Sequence, residues 1–240
     1  MRTNEREILI RMERLGDPKK AQVHQRFFKT GPGEYGEGDV FLGIRVPETR
    51  KLAREYQTLS LPETIKLLQS PIHEARHLAL FILVRAYGKG DTALQEQIYH
   101  LYLQNTRFIN NWDLVDTSAE HIVGTWLRHQ SKAPLHTLAA SELVWERRIA
   151  IMATFHYIKQ GEFDPTLRIA ELLLADEHDL IHKATGWMLR EIGKRDLPLE
   201  VSFLKAHYRR MPRTMLRYAI EKFPEDLRQQ YLRGTKIADL

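Results

Sequence analysis

Apolar residues recur at spacings of three and four along nearly the whole chain, as in E-A-R-H-L-A-L-F-I-L-V-R-A-Y (Glu74 to Tyr87) and R-R-I-A-I-M-A-T-F-H-Y-I (Arg147 to Ile158). That period belongs to helices, and no segment alternates apolar and polar residues over the length of a strand. Turn residues punctuate the pattern. The V-P-E of Val46 to Glu48 places proline at a helix start, while Gly88, Gly90, Gly161 and Pro212 mark boundaries. The reading gives about a dozen helices and an all-α fold.

The segments also resemble one another at a regular distance. His73, Asn111, Trp145 and His182 stand near the starts of successive apolar helices, 38, 34 and 37 residues apart, and Arg213 opens a fifth. H-E-A-R (His73 to Arg76) and W-E-R-R (Trp145 to Arg148) share x-E-x-R. A period of this size with two helices per unit predicts a HEAT-like α-solenoid, an α-α superhelix of helical pairs. Such a stack offers a concave face on which a basic lining can follow a rod-shaped polyanion. A length of 240 residues without a Gly/Ser/Pro-rich linker favours one domain over residues 1–240.

Composition narrows the chemistry. There is no cysteine, so disulfides and thiolate catalysis are excluded, and a zinc site would have to use His and carboxylates. The start M-R-T-N-E-R-E is charged and no run approaches about 18 apolar residues, so a soluble, cytoplasmic monomer with no obligate protein partner is expected. The net charge is +5 and is unevenly spread: between Lys183 and Arg217 nine bases face three acids. A cluster of that kind is either a solvated basic surface or the footprint of a polyanionic partner.

Three motifs invite a chemical reading. His73-Glu74-Ala75-Arg76-His77 matches H-E-x-x-H, in which two His one turn apart bind zinc and the Glu activates its water. Its position just after Ser70-Pro71, the absence of a third ligand at a recognised spacing, and the return of Glu and Arg at Glu146 and Arg148 without a His pair all weigh against a metal, and none is assigned. His178 and His182 form a second pair with the same weakness. The glycines of G-P-G-E-Y-G-E-G-D (Gly31 to Asp39) lack the Lys-Ser/Thr of a phosphate loop, and Glu34, Glu37 and Asp39 would repel phosphate, so a mobile loop is expected there.

N-N-W-D-L-V-D, Asn110 to Asp116, is the third. If Asn111 caps a helix, Trp112 and Asp116 share one face, and Asp113 falls in the first turn, where the helix dipole favours an acid. Asp116 sits a turn deeper beside Leu114, Val115 and Ala119, where an unpaired carboxylate is costly. It either bonds a structural partner, such as a neighbouring loop or Arg148, or does chemistry.

W-D-L-V-D, W-E-R-R-I-A-I, H-K-A-T-G-W-M-L-R-E and the earlier F-L-G-I-R-V-P-E occur in one order and together resemble the AlkD-like DNA alkylation-repair glycosylases over nearly the whole chain. The resemblance implies a HEAT-like solenoid that binds duplex DNA carrying alkylated purines in its concave groove and excises N3- or N7-alkylated bases; no cofactor is expected, and with no lysine in these motifs as an obvious Schiff-base nucleophile, strand cleavage is not expected. It implies Asp116 as the catalytic carboxylate, Trp112 and Trp187 as aromatic walls against the deoxyribose and backbone, and Arg148 as a partner close to the acid and the phosphate. It also implies a lesion left largely stacked, so that bulky adducts are tolerated. Lys183, Arg190, Lys194, Arg195, Arg213 and Arg217 would then supply phosphate contacts. Two other classes compete: a non-catalytic solenoid binding branched DNA or protein, and a zinc hydrolase built on His73, Glu74 and His77.

Overall fold

The computed structural model describes residues 4–234 and is helical throughout, with no strand among them; an isolated parallel bridge joins Val40 and Ile72. It separates into two compact units, Met1–Ile122 and Val123–Leu240. The first carries α1 (Glu5–Leu15), α2 (Pro18–Phe27), α3 (Val46–Glu55), α4 (Leu61–Leu68), α5 (His73–Lys89), α6 (Thr92–Gln104) and the short α7 (Trp112–Asp116). A π turn, Glu120–Gly124, runs into α8 (Thr125–Leu127). The second unit continues with α9 (Ala133–Ala139), α10 (Val144–Ala153), α11 (Phe155–Lys159), α12 (Asp164–Leu172), α13 (Asp179–Gly193), α14 (Leu197–His207), α15 (Arg213–Ala219) and α16 (Glu225–Arg233). None of the described helices is long and apolar enough to cross a membrane.

Each unit is organised around one helix. In the first, α3, α4, α6 and α7 pack on α5, whose residues from His73 through Leu83 are all buried. A helix buried nearly all round needs neighbours on every side, and its buried polar side chains must find partners among them. In the second, α10, α11, α12, α14 and α15 pack on α13, and α9 packs on α10.

The helix starts obey local rules. Asn4 accepts from the backbone N–H of Glu7 to open α1, Asp17 accepts from Lys19 and Lys20 before Pro18 opens α2, and Asp91 accepts from Leu94 at the head of α6. Pro47 is the second residue of α3, after Val46. The expected break at Gly88 does not occur: α5 runs through it to Lys89 and stops at Gly90. A Cβ at Gly88 would meet no atom within 4 Å, so this glycine is at an open surface where the helix tolerates it.

The repeat positions fall at helix starts. His73 and Arg213 are the first residues of α5 and α15, Asn111 caps α7, Trp145 is the second residue of α10, and His182 lies a turn inside α13. This all-helical arrangement is consistent with an α-solenoid.

Candidate functional site

The first unit contains a cavity of about 540 Å³ whose lining comes from four separate parts of the chain: α2 and its end, the Phe41–Thr49 segment, the start of α5, and α7. Trp112 and Asp116, four residues apart, both line it, together with Asp113 and Thr117. The side chain of Asn111 caps α7 by accepting from the N–H of Trp112 at 2.9 Å. That cap fixes where the short helix starts, and therefore which of its residues face the cavity.

Most of the wall is aromatic. His73 stacks on Phe41 (centroids 4.4 Å apart, planes at 21°), Phe41 on Phe28 (5.1 Å, 15°), and Phe28 on Trp112 (5.4 Å, 23°). Phe27 meets the Trp112 ring edge-on at 5.9 Å. These rings pack in the offset and edge-to-face geometries that their quadrupoles favour.

Behind the rings lies a chain of buried charges. His73 bonds Asp39 through Nδ1 at 3.1 Å and Asp113 through Nε2 at 2.8 Å. The Arg76 guanidinium lies 2.7 Å from the same Asp39 carboxylate, and Asn110 donates to its other oxygen at 2.9 Å. Burial pushes the His73 imidazole down, but the charge and hydrogen bond of Asp113 and the bond to Asp39 outweigh it and hold the ring above its ordinary pKa. The acids answer in kind. Burial raises Asp39 and Asp113, and the partners on the other side, His73 foremost, bring both below the usual carboxylate range. An imidazolium between two carboxylates, with Arg76 completing the balance, satisfies charges that could not otherwise be buried.

His77 behaves differently. Its Nδ1 is 3.6 Å from Asp113, its Nε2 is 3.3 Å from the Thr117 hydroxyl, and burial drives its pKa down to about 4, more than the Asp113 charge can restore. It is a neutral ring one turn from a charged one.

The glycine-rich segment is a series of hydrogen-bonded turns instead of the unanchored loop expected from its composition. Glu34 accepts from the N–H of Gly31, Glu37 from that of Gly33, and Gly36 donates to the carbonyl of Lys29. The first two acids are spent on the segment's own backbone. The third, Asp39, is delivered to His73 and Asn110 and so braces both α5 and the approach to α7. A Cβ at Gly36 would lie 2.5 Å from the Phe28 carbonyl oxygen, which is why that turn requires glycine.

The H-E-x-x-H motif has another use than the one its spacing suggests. Glu74 is buried and accepts from three backbone N–H groups, those of Leu42 (3.0 Å), Gly43 (2.8 Å) and Ile44 (3.2 Å). It ties the chain after the glycine turns to α5 and is committed against activating a water. His73, His77 and Asp113 do place one ligand atom each within 4.8 Å of one another, so these three could hold a divalent ion. Both ring nitrogens of His73 already have carboxylate partners. The second pair is structural: His178 accepts from Leu180 N–H at the cap of α13, and His182 lies 2.5 Å from the Asp176 carbonyl.

Arg148 and Trp187 belong to the second unit, on the packed helices α10 and α13. Arg148 is buried and donates to the Leu180 carbonyl at 2.6 Å. The Trp187 indole donates to Glu191 at 3.2 Å and meets the Phe155 ring at 6.0 Å. The x-E-x-R frame pairs Arg76 with Arg148, yet it is Arg147 that repeats the bond of Arg76 to a carbonyl six residues back, Ser141 in place of Ser70. The repeat therefore slips by one residue and leaves Arg148 to a different task.

Among the basic residues, several are held by acids. Lys183 lies 2.7 Å from Asp179, Arg190 pairs with Glu221, and Glu191 receives both Lys194 (2.5 Å) and Arg195 (3.2 Å). Arg213 donates to the Leu232 carbonyl at 2.8 Å. Arg217 is exposed, with no ion pair to another described residue.

Sequence reasoning singled out Trp112 and Asp116 but gave no part in the site to Phe28 and Phe41, which line the cavity beside them, or to Asp39, which lies behind the rings on His73. The adjacent phenylalanines Phe27 and Phe28, at the end of an otherwise polar helix, were the signal available.

No curated protein matches the chain. A solved structure described as a predicted DNA alkylation repair enzyme from Enterococcus faecalis superposes with a TM-score of 0.67 over 88% of this chain and 97% of that one, at 19% identity, a likeness of fold. The model of the DNA alkylation repair enzyme family matches residues 8–223, and the chain belongs to that family.

Proposed function

We propose that the protein is a monofunctional DNA glycosylase that hydrolyses the N-glycosidic bond of N3- or N7-alkylated purines in duplex DNA. The observation that carries this reading is the shared position of Trp112 and Asp116 on the wall of one cavity, in a chain of the DNA alkylation repair family.

The chemistry asks little of the protein. Alkylation at N3 or N7 makes the purine a cation, so when the C1′–N bond breaks its electron pair neutralises the base and no acid is needed to protonate the leaving group. Positive charge then grows on the deoxyribose. A fixed carboxylate in an apolar recess stabilises that charge far better than one in water, and Asp116 also accepts the proton of the water that adds to C1′. The face of Trp112, on the cavity wall, favours that cationic centre, and Trp187, in the second unit, is proposed as an aromatic contact to the DNA backbone. Arg148 contributes to holding the neighbouring phosphate.

Lys183, Arg190, Lys194, Arg195, Arg213 and Arg217 would steer and hold the duplex. The first four carry intramolecular ion pairs, so phosphate binding exchanges one anionic partner for another. The affinity then depends steeply on salt, with a slope of roughly 0.9 per phosphate neutralised.

The test is release of 7-methylguanine and 3-methyladenine from methylated duplex DNA, in chelator, read by mass spectrometry, with Asp116→Asn in parallel. Wild type should release both. The variant should be slower by about a hundredfold or more while still binding the duplex, as expected when a preorganised charge is removed. A folded wild type that binds DNA and releases neither base would sink the glycosylase reading in favour of a binding-only module.

A further inference from the structure

The third ligand that the spacing of H-E-x-x-H does not supply comes from α7. His73, His77 and Asp113 all line the cavity of about 540 Å³, and one ligand atom from each lies within 4.8 Å of the others. Asp113 stands forty residues beyond His73, a separation that no motif along one helix can express.

Each of the three side chains is turned by a second partner. His73 Nδ1 bonds Asp39 at 3.1 Å, and Asp39 is held in turn by Arg76 and Asn110, so Nε2 is the nitrogen presented to Asp113 Oδ2, at 2.8 Å. On His77 the tautomer follows from Thr117. That hydroxyl has one proton, which goes to the carbonyls of Asp113 (2.8 Å) and Leu114 (3.3 Å), so in the 3.3 Å contact with His77 the ring Nε2–H is the donor. The lone pair of His77 Nδ1 is left towards Asp113 Oδ2, 3.6 Å away, acceptor facing acceptor. Asp113 Oδ1 accepts from the N–H of Leu114 at 2.9 Å, which leaves Oδ2 for the site. Histidines tied at the far nitrogen to a carboxylate or hydroxyl, and a carboxylate tied to a backbone amide, form the outer shell that fixes metal ligands.

We propose that His73, His77 and Asp113 form a binding site for one transition-metal dication of the zinc class, which ties the head of α5 to α7. Bonds of about 2.0–2.2 Å to a tetrahedral ion place neighbouring ligand atoms roughly 3.3–3.6 Å apart. His77 Nδ1 already stands at that distance from Asp113 Oδ2, and His73 Nε2 has to give way by about half an ångström. The ion takes the place of the proton between His73 and Asp113, which leaves to solvent, and it meets two carboxylates, Asp113 directly and Asp39 through His73. The fourth position opens on the cavity. Two imidazoles and one carboxylate suit zinc, cobalt and nickel, whereas magnesium and calcium ask for oxygen ligands alone. Glu74, bonded to three backbone amides, activates no water here, so the site is not a hydrolytic centre.

The experiment uses the untagged full chain, stripped with chelator and dialysed. Zinc retained after gel filtration is counted by mass spectrometry, a cobalt titration is followed by visible absorption, and magnesium serves as the control ion. Wild type is compared with His77→Gln, which keeps both carboxylate bonds of His73, and with His178→Gln at the other histidine pair; circular dichroism checks each fold. X-ray absorption of the wild-type zinc complex reports the ligands without any variant.

Wild type should hold one zinc and no magnesium, and its cobalt complex should show the intense visible bands of tetrahedral coordination. At a hundredfold excess over its Kd, zinc should raise Tm by roughly 5–10 °C. His77→Gln should lower the affinity by about a hundredfold or more, beyond the 10–100-fold typical of an outer-shell partner, and His178→Gln should leave it unchanged. X-ray absorption should find two imidazoles and at least one further oxygen at about 2.0–2.2 Å. Failure to retain zinc, an affinity that survives His77→Gln or is lost in His178→Gln, or a spectrum with fewer than two imidazoles overturns the site. Base release in chelator, the assay of the glycosylase reading, is independent of each of these results, so the two can fail separately.

Discussion

Replacement of Glu74 by glutamine separates two readings of the same residue. Three backbone N–H groups converge on its buried carboxylate at 2.8 to 3.2 Å, two on Oε1 and one on Oε2. Hydrogen bonds to a charged group are worth about 1.5–3 kcal/mol each, against about 1 kcal/mol between neutral groups. Glutamine can keep its oxygen for Gly43 and Ile44 as neutral bonds. Its amide then faces the N–H of Leu42, donor against donor, in a buried place. The expected loss is about 2–4 kcal/mol, which for a chain of this size lowers Tm by roughly 5–15 °C. Urea denaturation followed by far-UV circular dichroism measures the total. Because the chain has two compact units whose transitions can separate, hydrogen exchange at the amides of Leu42, Gly43 and Ile44 supplies the local measurement. A variant within about 0.5 kcal/mol of wild type, with unchanged protection at those amides, would refute the structural role. Intact stability with abolished activity would instead restore Glu74 as the water-activating residue of a zinc hydrolase.

His77 gives a pH dependence with a definite sign. Its folded pKa, about 4, lies below the ordinary value, so between about pH 6.5 and 4 the unfolded chain binds a proton that the folded chain refuses; stability is lost as pH drops through that window, by up to about 3 kcal/mol, and His77→Gln should flatten the loss in a series of urea midpoints. His73 has the opposite sign, since its folded pKa is raised: its contribution is complete below the unfolded value and is lost as pH rises through the folded one, so His73→Asn should remove stability most in mild acid. Gly43 has φ of +81° and an added Cβ would lie 2.3 Å from the Asp17 carbonyl oxygen, so Gly43→Ala should lose more than about 2 kcal/mol in thermal denaturation; a Tm within 2 °C of wild type would show that the backbone there can relax. Arg217→Gln should reduce the slope of log affinity against log salt by about 0.9 in fluorescence anisotropy with duplex DNA, and an unchanged slope would remove Arg217 from the phosphate contacts.

The chain alone determined what depends on neighbours in sequence. The three-and-four spacing of apolar residues, the Asn111 cap and the proline of V-P-E act within a turn or two, so the all-helical fold and these helix starts were readable. The spacing of Trp112 and Asp116 placed them on one face because five residues of helix suffice to fix that relation. The cavity they line is a different matter. It is built from residues 24–28, 41–49, 73–77 and 112–117, and no rule of local spacing relates those stretches.

The same limit explains two motifs whose roles sequence pattern could not supply. H-E-x-x-H and the glycine run look like a metal site and a loose loop when read as strings. Packing turned Glu74 toward three backbone amides and carried Asp39 onto His73, forty residues from the Asp113 that takes the other side of the ring. A buried charge must find its partner wherever the fold provides one, and partners at that separation are chosen by tertiary structure, because the cost of leaving the charge alone is set by burial and burial does not exist until the helices have packed.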